Sequence, residues 1–125
     1  MLDNNDNIYI SDYFSGVIKK IDATTNVETT FATLPVLSGG GIAYITFSDG
    51  YFYATSASDH VVFMIDNSGS SSIIAGRQGV AGNVNGNGNN ALLDGPIGIV
   101  ASTDGRTLYV AHSNKVVEIT GFRED

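Results

Sequence analysis

The sequence predicts an all-β chain made of a short tandem array of small antiparallel sheets, and two observations carry that prediction. A tyrosine inside an apolar run recurs as Ile8-Tyr9-Ile10, Phe52-Tyr53-Ala54 and Leu108-Tyr109-Val110, each after a turn rich in Asp, Asn or Gly. The register then persists: Val17 and Val61 stand eight residues after their tyrosines, and Ile21-Asp22 and Ile65-Asp66 share offsets of twelve and thirteen. The first two units are therefore 44 residues apart. In the third, Lys115 to Ile119 matches Val17 to Ile21 once two residues are removed from the preceding turn, a deletion that a hairpin loop absorbs and a strand does not.

Four strands fit each unit. In the middle one they fall at about 42–47, 51–56, 61–66 and 71–75, with Asp49-Gly50 and Asn67-Ser68-Gly69 as turns, because Gly and Asn accept the positive φ of tight hairpins. Near-continuous apolar runs such as Val61 to Ile65 suit sheets covered on both faces, and no stretch carries the 3.6-residue apolar spacing of a helix. About 40 to 45 residues holding four strands is the signature of a propeller blade, with an all-β sandwich as the plainer alternative. The expected fold is a partial β-propeller of about three four-stranded antiparallel blades, the first and last incomplete. Blade one spans 1–33, blade two 41–76, a Gly/Asn-rich inter-blade loop 77–95, and blade three 96–125.

In order along the chain, Met1-Leu2-Asp3 aligns with the end of an inner strand. Asp3-Asn4-Asn5-Asp6-Asn7 alternates acidic and amide oxygens like half a calcium loop, but Ile8 and Phe14 stand where an EF-hand needs Gly and a bidentate Glu, so it reads as a hairpin turn. Strands follow at 8–12, 17–22 and 27–32, and Leu34 to Gly40 leads into blade two. Between Arg77 and Asn90 glycine and asparagine dominate, which predicts a mobile connector, since ordering it costs entropy with little burial in return. Gly86 to Ala91 satisfies the G-x-G-x-x-[GA] spacing of dinucleotide-binding turns, but Pro96 and Gly98 interrupt any following helix and no βαβ unit surrounds it. Blade three then runs 97–101, 107–112 and 115–120.

Composition narrows the function. With 125 residues, 42% apolar and 15% charged, the chain is globular. A net charge of −7 and six scattered basic residues exclude a phosphate-backbone partner and disfavour an anionic membrane surface. Absence of cysteine excludes a disulfide framework and a thiolate metal site. No apolar run reaches the 18 residues of a membrane span, and the polar start does not read as a signal peptide.

Ile8-Tyr9-Ile10-Ser11-Asp12 followed by Val17-Ile18-Lys19-Lys20-Ile21-Asp22 resembles the core of an NHL repeat, in which an aromatic-containing strand ending in Asp precedes a strand of the form Ile-x-Lys-Ile. Ala75-Gly76, the Gly-rich excursion, Ala91-Leu92 and Pro96-Ile97-Gly98-Ile99 are similar to the way many NHL arrays join blades. The chain is also similar to streptogramin-lyase-like and gluconolactonase-like six-bladed propellers. The resemblance implies a parent ring of six blades, of which this is about half. It leaves the chemistry open, because propellers of this group include scaffolds, receptors, lyases and lactonases.

In a four-stranded meander the loops joining strands two and three emerge on the same face as the inter-blade loops. That face collects Asp12, Tyr13, Ser56, Ser58, Asp59, His60, His112 and Asn114 as candidate ligand- or partner-binding residues. Asp12, Ser56 and His112 occupy equivalent repeat positions and form an Asp, Ser, His trio, yet blades radiating from an axis hold them too far apart for a triad. Asp12 is expected to cap its turn. His60 and His112 are expected as solvated loop residues, with His112 the weak catalytic candidate; no metal set is assembled by the sequence. The expected function is a ligand- or protein-interaction scaffold that needs no cofactor. The alternatives are a piece of a lyase- or lactonase-type enzyme, which by family likeness would use a divalent cation such as calcium, or a structural spacer. Unpaired edges and apolar flanks predict self-association, or a longer parent chain that completes the ring.

Overall fold

The computed structural model describes residues 1–37, 40–82 and 92–122. Its ten strands lie in three antiparallel sheets, and no helix occurs among the described residues. The first sheet holds β1 (Ile8–Ser11), β2 (Val17–Ile21) and β3 (Glu28–Thr33); the second holds β4 (Tyr44–Ser48), β5 (Tyr51–Ser56), β6 (Val61–Ile65) and β7 (Ser71–Gly76). The third holds β8 (Ile99–Ala101), β9 (Leu108–His112) and β10 (Lys115–Ile119). Each sheet is a meander in sequence order, as a propeller blade requires. An antiparallel bridge from Leu2 to Ile8, and a bond from the Tyr9 N–H to the Met1 carbonyl, put the start of the chain where the first blade's inner strand was expected.

Turn chemistry sets the register. Asp49 and Gly50 have φ of 51° and 84°, the two-residue type I′ geometry that joins β4 to β5, and Ser113 and Asn114 at 46° and 65° join β9 to β10 in the same way. That hairpin is two residues shorter than the one at 57–60, as the alignment required. At the other end of the sheets Asp22, Asp66 and Asp104 fold their carboxylates back onto nearby N–H groups. These bonds hold each acid below the ordinary carboxylate value; the leading cause is the Thr25 N–H at Asp22, the Ser68 hydroxyl at Asp66 and the Ser102 hydroxyl at Asp104. The Asp3 to Asn7 segment is such a turn too. The Asp3 carboxylate accepts from the N–H groups of Asn5 and Asn7, the Asn7 amide and the Tyr9 hydroxyl, so none of its oxygens is left to a cation. Burial, then this bond to Asp3, pushes the Tyr9 hydroxyl up to about 12.

Two apolar cores lie between the three sheets. Tyr9, Ile18, Phe52, Ala54, Phe63 and Ile65 fill the first, where the Tyr9 and Phe52 rings stand 4.5 Å apart. Tyr53, Val62, Leu93, Leu108, Val110 and Ile119 fill the second, with the Phe122 ring edge-on to Tyr53 at 5.4 Å. Strand β5 serves both, because alternate residues of a strand face opposite sides. Two hydrogen bonds stitch the second sheet to the third, from the Ser48 hydroxyl to the Ser102 carbonyl at 2.7 Å and from the Thr55 hydroxyl to the Ile97 carbonyl at 2.6 Å. The expected mobile connector and the G-x-G-x-x-[GA] segment fall mostly within 83–91, outside the described residues.

Candidate functional site

The hairpins after β1, β5 and β9 and the two inter-sheet connections do meet on one face, held there by buried polar side chains. Asp59 is the main tie. Its side chain is 1% exposed, and one carboxylate oxygen accepts from the Leu37 N–H and from the Gln78 amide, each at 2.8 Å. One acid thereby fastens both inter-sheet connections to the hairpin between β5 and β6, while its own carbonyl accepts from the Gly79 N–H. Gly40 lies so close that a Cβ there would strike the other Asp59 oxygen. Nearby, the Gly41 N–H donates to the Ser58 hydroxyl and the Ile42 N–H to the Asp12 carbonyl.

The two histidines correct the sequence reading. Neither is a solvated loop residue: His112 is buried and His60 half-buried. They meet at one loop, where the His112 Nδ1 accepts from the Asp94 N–H at 3.1 Å and the His60 Nδ1 accepts from the Gly95 N–H at 3.0 Å. Consecutive amides are thus clasped by imidazoles from two different sheets. An accepting Nδ1 means that the neutral ring carries its proton on Nε2. Burial, with Lys115 nearby, lowers the pKa of His112 below the ordinary 6.5, which favours the accepting form. His60 reaches its position through a left-handed backbone, φ 63°, where its N–H closes the turn onto the Ser56 carbonyl.

The Asp, Ser, His trio forms no triad. Asp12 spends its carboxylate on its own turn, accepting from the Phe14 N–H and the Ser15 hydroxyl, as expected of a cap. The buried Ser56 hydroxyl has no hydrogen-bond partner among the described residues, so no base activates it. No three His, Asp or Glu side chains gather as metal ligands among the described residues.

Among the polar side chains that the face offers to solvent stands an aromatic and apolar group. Tyr13 is 60% and Phe14 83% exposed, their rings edge-on at 5.5 Å, and Leu37 is exposed on the neighbouring connection. Ser58 and Asn114 are exposed with them. At the third sheet a cavity of about 320 Å³ opens beside His112, lined also by Gly95, Ile97, Asn114 and Val116. Sequence reasoning missed Phe14, Gln78 and Asp94-Gly95. The adjacent pair Tyr13-Phe14 in a short polar turn was the available signal for the first, since two successive large rings in a hairpin tip have no core to share; the others reveal themselves only in three dimensions.

No family model and no curated protein matches the chain. Solved structures do share its fold. An auxiliary nutrient binding protein from Bacteroides thetaiotaomicron is similar with a TM-score of 0.80 and 22% identity, over 94% of this chain and 32% of that one. A structural genomics protein of unknown function from the same organism is similar with a TM-score of 0.75 and 20% identity, over 89% of this chain and 29% of that one. The chain therefore spans about a third of the length of these structures.

Proposed function

We propose that the chain is an NHL-like propeller segment that serves as a binding scaffold, and that its loop face, centred on Tyr13 and Phe14, is the contact surface. The observation that carries this reading is the contrast on that face. Asp59, His60 and His112 are turned inward to fix the loops, while two adjacent aromatic rings are held out in water by a turn with a capped, rigid backbone. Exposed aromatic side chains on a fixed frame bring contact area at small entropic cost, and such residues are enriched among those that dominate binding energy. The cavity beside His112 adds a concave, mixed polar and apolar pocket on the same face. A similarly folded protein named for nutrient binding agrees with a binding role, although at 22% identity the likeness carries the fold alone.

The test is amide chemical-shift mapping of the ¹⁵N-labelled chain against a panel of defined peptides and oligosaccharides. Any binder is expected to shift residues 12–14, 37, 40–42 and 112–114, and the double variant Tyr13→Ala, Phe14→Ala is expected to weaken it about tenfold or more without unfolding the chain. Shifts clustered at Asn67 and Asp104, on the opposite face, would overturn the assignment.

A further inference from the structure

Both internal sheet contacts use one pair of faces. Sheet one turns Tyr9 toward Phe52 of sheet two, and sheet two turns Tyr53 into one core with Leu108 of sheet three. Each time, the repeat tyrosine of one sheet packs against the side of the next that carries the residue preceding that sheet's own tyrosine. Every sheet thus has a tyrosine-bearing forward face and a backward face carrying the two residues that flank the tyrosine.

Among the described residues, sheet three presents its forward face uncovered. Leu108 and Val110 are fully buried, but Tyr109 between them is 42% exposed, and Val116 is 72% exposed on the adjoining strand. Sheet one shows the reverse. Tyr9 is buried, while Ile8 and Ile10, the counterparts of Phe52 and Ala54, are 41% and 50% exposed. Charges differ in a complementary way. Met64 and Val117, which pack against the core between sheets two and three, correspond in the repeat to Glu118 on sheet three and Lys19 on sheet one.

We propose that the forward face of sheet three receives the backward face of sheet one from a second copy of this chain, so that two copies close a ring of six sheets. The continuity of the contact argues for that occupant: the chain already packs this pair of faces twice. Six sheets fall within the four to eight of closed propellers, and a two-fold axis satisfies both open faces of each copy at once. Ile97 and Val116 line the open cavity beside His112, so the second copy would also complete the wall of the candidate site.

Sedimentation velocity from about 1 to 100 μM tests the stoichiometry, with a species of twice 13.1 kDa expected. Tyr109→Asp, at an exposed position, should weaken the dimer about tenfold or more while circular dichroism stays native. The chain contains no cysteine, so geometry can be read directly. A bis-maleimide matched to the roughly 10 Å between packed sheets should cross-link the double variant Ile8→Cys, Tyr109→Cys into dimers and leave each single variant monomeric. A parent chain that stays monomeric at the highest concentration would overturn the proposal. So would open assemblies larger than a dimer, or a Tyr109→Cys single variant that cross-links as well as the double one.

Discussion

Replacing Asp59 by alanine removes the acceptor that joins both inter-sheet connections to the β5–β6 hairpin. Two hydrogen bonds to a buried carboxylate are lost, from Leu37 and Gln78, each 2.8 Å long. Hydrogen bonds to charged groups contribute about 1.5 to 3 kcal/mol each. Leu37 and Gln78 lie near enough to solvent for water to recover part of this, so the net loss should be about 2 to 3 kcal/mol. For a chain of this length that is a melting temperature lower by roughly 8 to 12 °C. Asp59→Asn keeps the shape and one acceptor and should lose about 1 kcal/mol. The assay pairs thermal melts followed by circular dichroism with amide exchange at Leu37, whose protection should fall in the alanine variant before that of Phe63 in the core. Gly40→Ala provides a cycle: its Cβ displaces the same carboxylate, so it should destabilise the parent more than it destabilises Asp59→Ala. A melting point for Asp59→Ala within about 2 °C of the parent would show that the carboxylate is not the tie described here.

Other outcomes follow from the same geometry. Because the folded pKa of His112 lies below its ordinary 6.5, the unfolded chain takes up that proton first; the contribution of His112 is complete above about pH 6.5 and is lost as the pH falls through the folded value. Asp22, Asp66 and Asp104 are held below 3.8, so their contribution is present above that value and lost beneath it; urea midpoints should fall in two acid steps, and His112→Gln should abolish the upper one. Tyr53→Ala should lose about 3 to 5 kcal/mol, measured by urea titration, because the ring is fully buried between sheets two and three. Millimolar calcium should leave the melting temperature unchanged to within about 1 °C, whereas a clear rise would favour the cation-dependent enzyme alternative.

The repeat was legible because strands and hairpins advertise themselves locally. Apolar runs around Tyr9, Tyr53 and Tyr109, with Asp-Gly and Asn-containing turns between them, located eight of the ten strands to within one residue at both ends; the first strands of the second and third blades begin two residues late, at Tyr44 and Ile99. Tyr53, one of the repeat tyrosines, is fully buried between sheets two and three. The site was less legible, since polar side chains in loops look alike in sequence whether they face water or the interior. His60 and His112 lie 52 residues apart in the chain, and only the stacking of sheets two and three places their rings on the neighbouring amides of Asp94 and Gly95. Asp59 likewise reads as one more acid in a turn until the connections at Leu37 and Gln78 arrive from either side.

Strand β5 belongs to both cores, sending Phe52 and Ala54 one way and Tyr53 the other. Its six residues are therefore the principal mechanical link between the end of the array that displays Tyr13 and Phe14 and the end that holds the His112 pocket. Substitutions in the two cores should add in their effects when they avoid this strand and depart from additivity when they touch it. A ligand at one end can then reach the other by two routes, a shift or twist of β5, which changes at Ala54 and Thr55 would sever, and the loop ties through Asp59, His60 and His112, which would survive those changes.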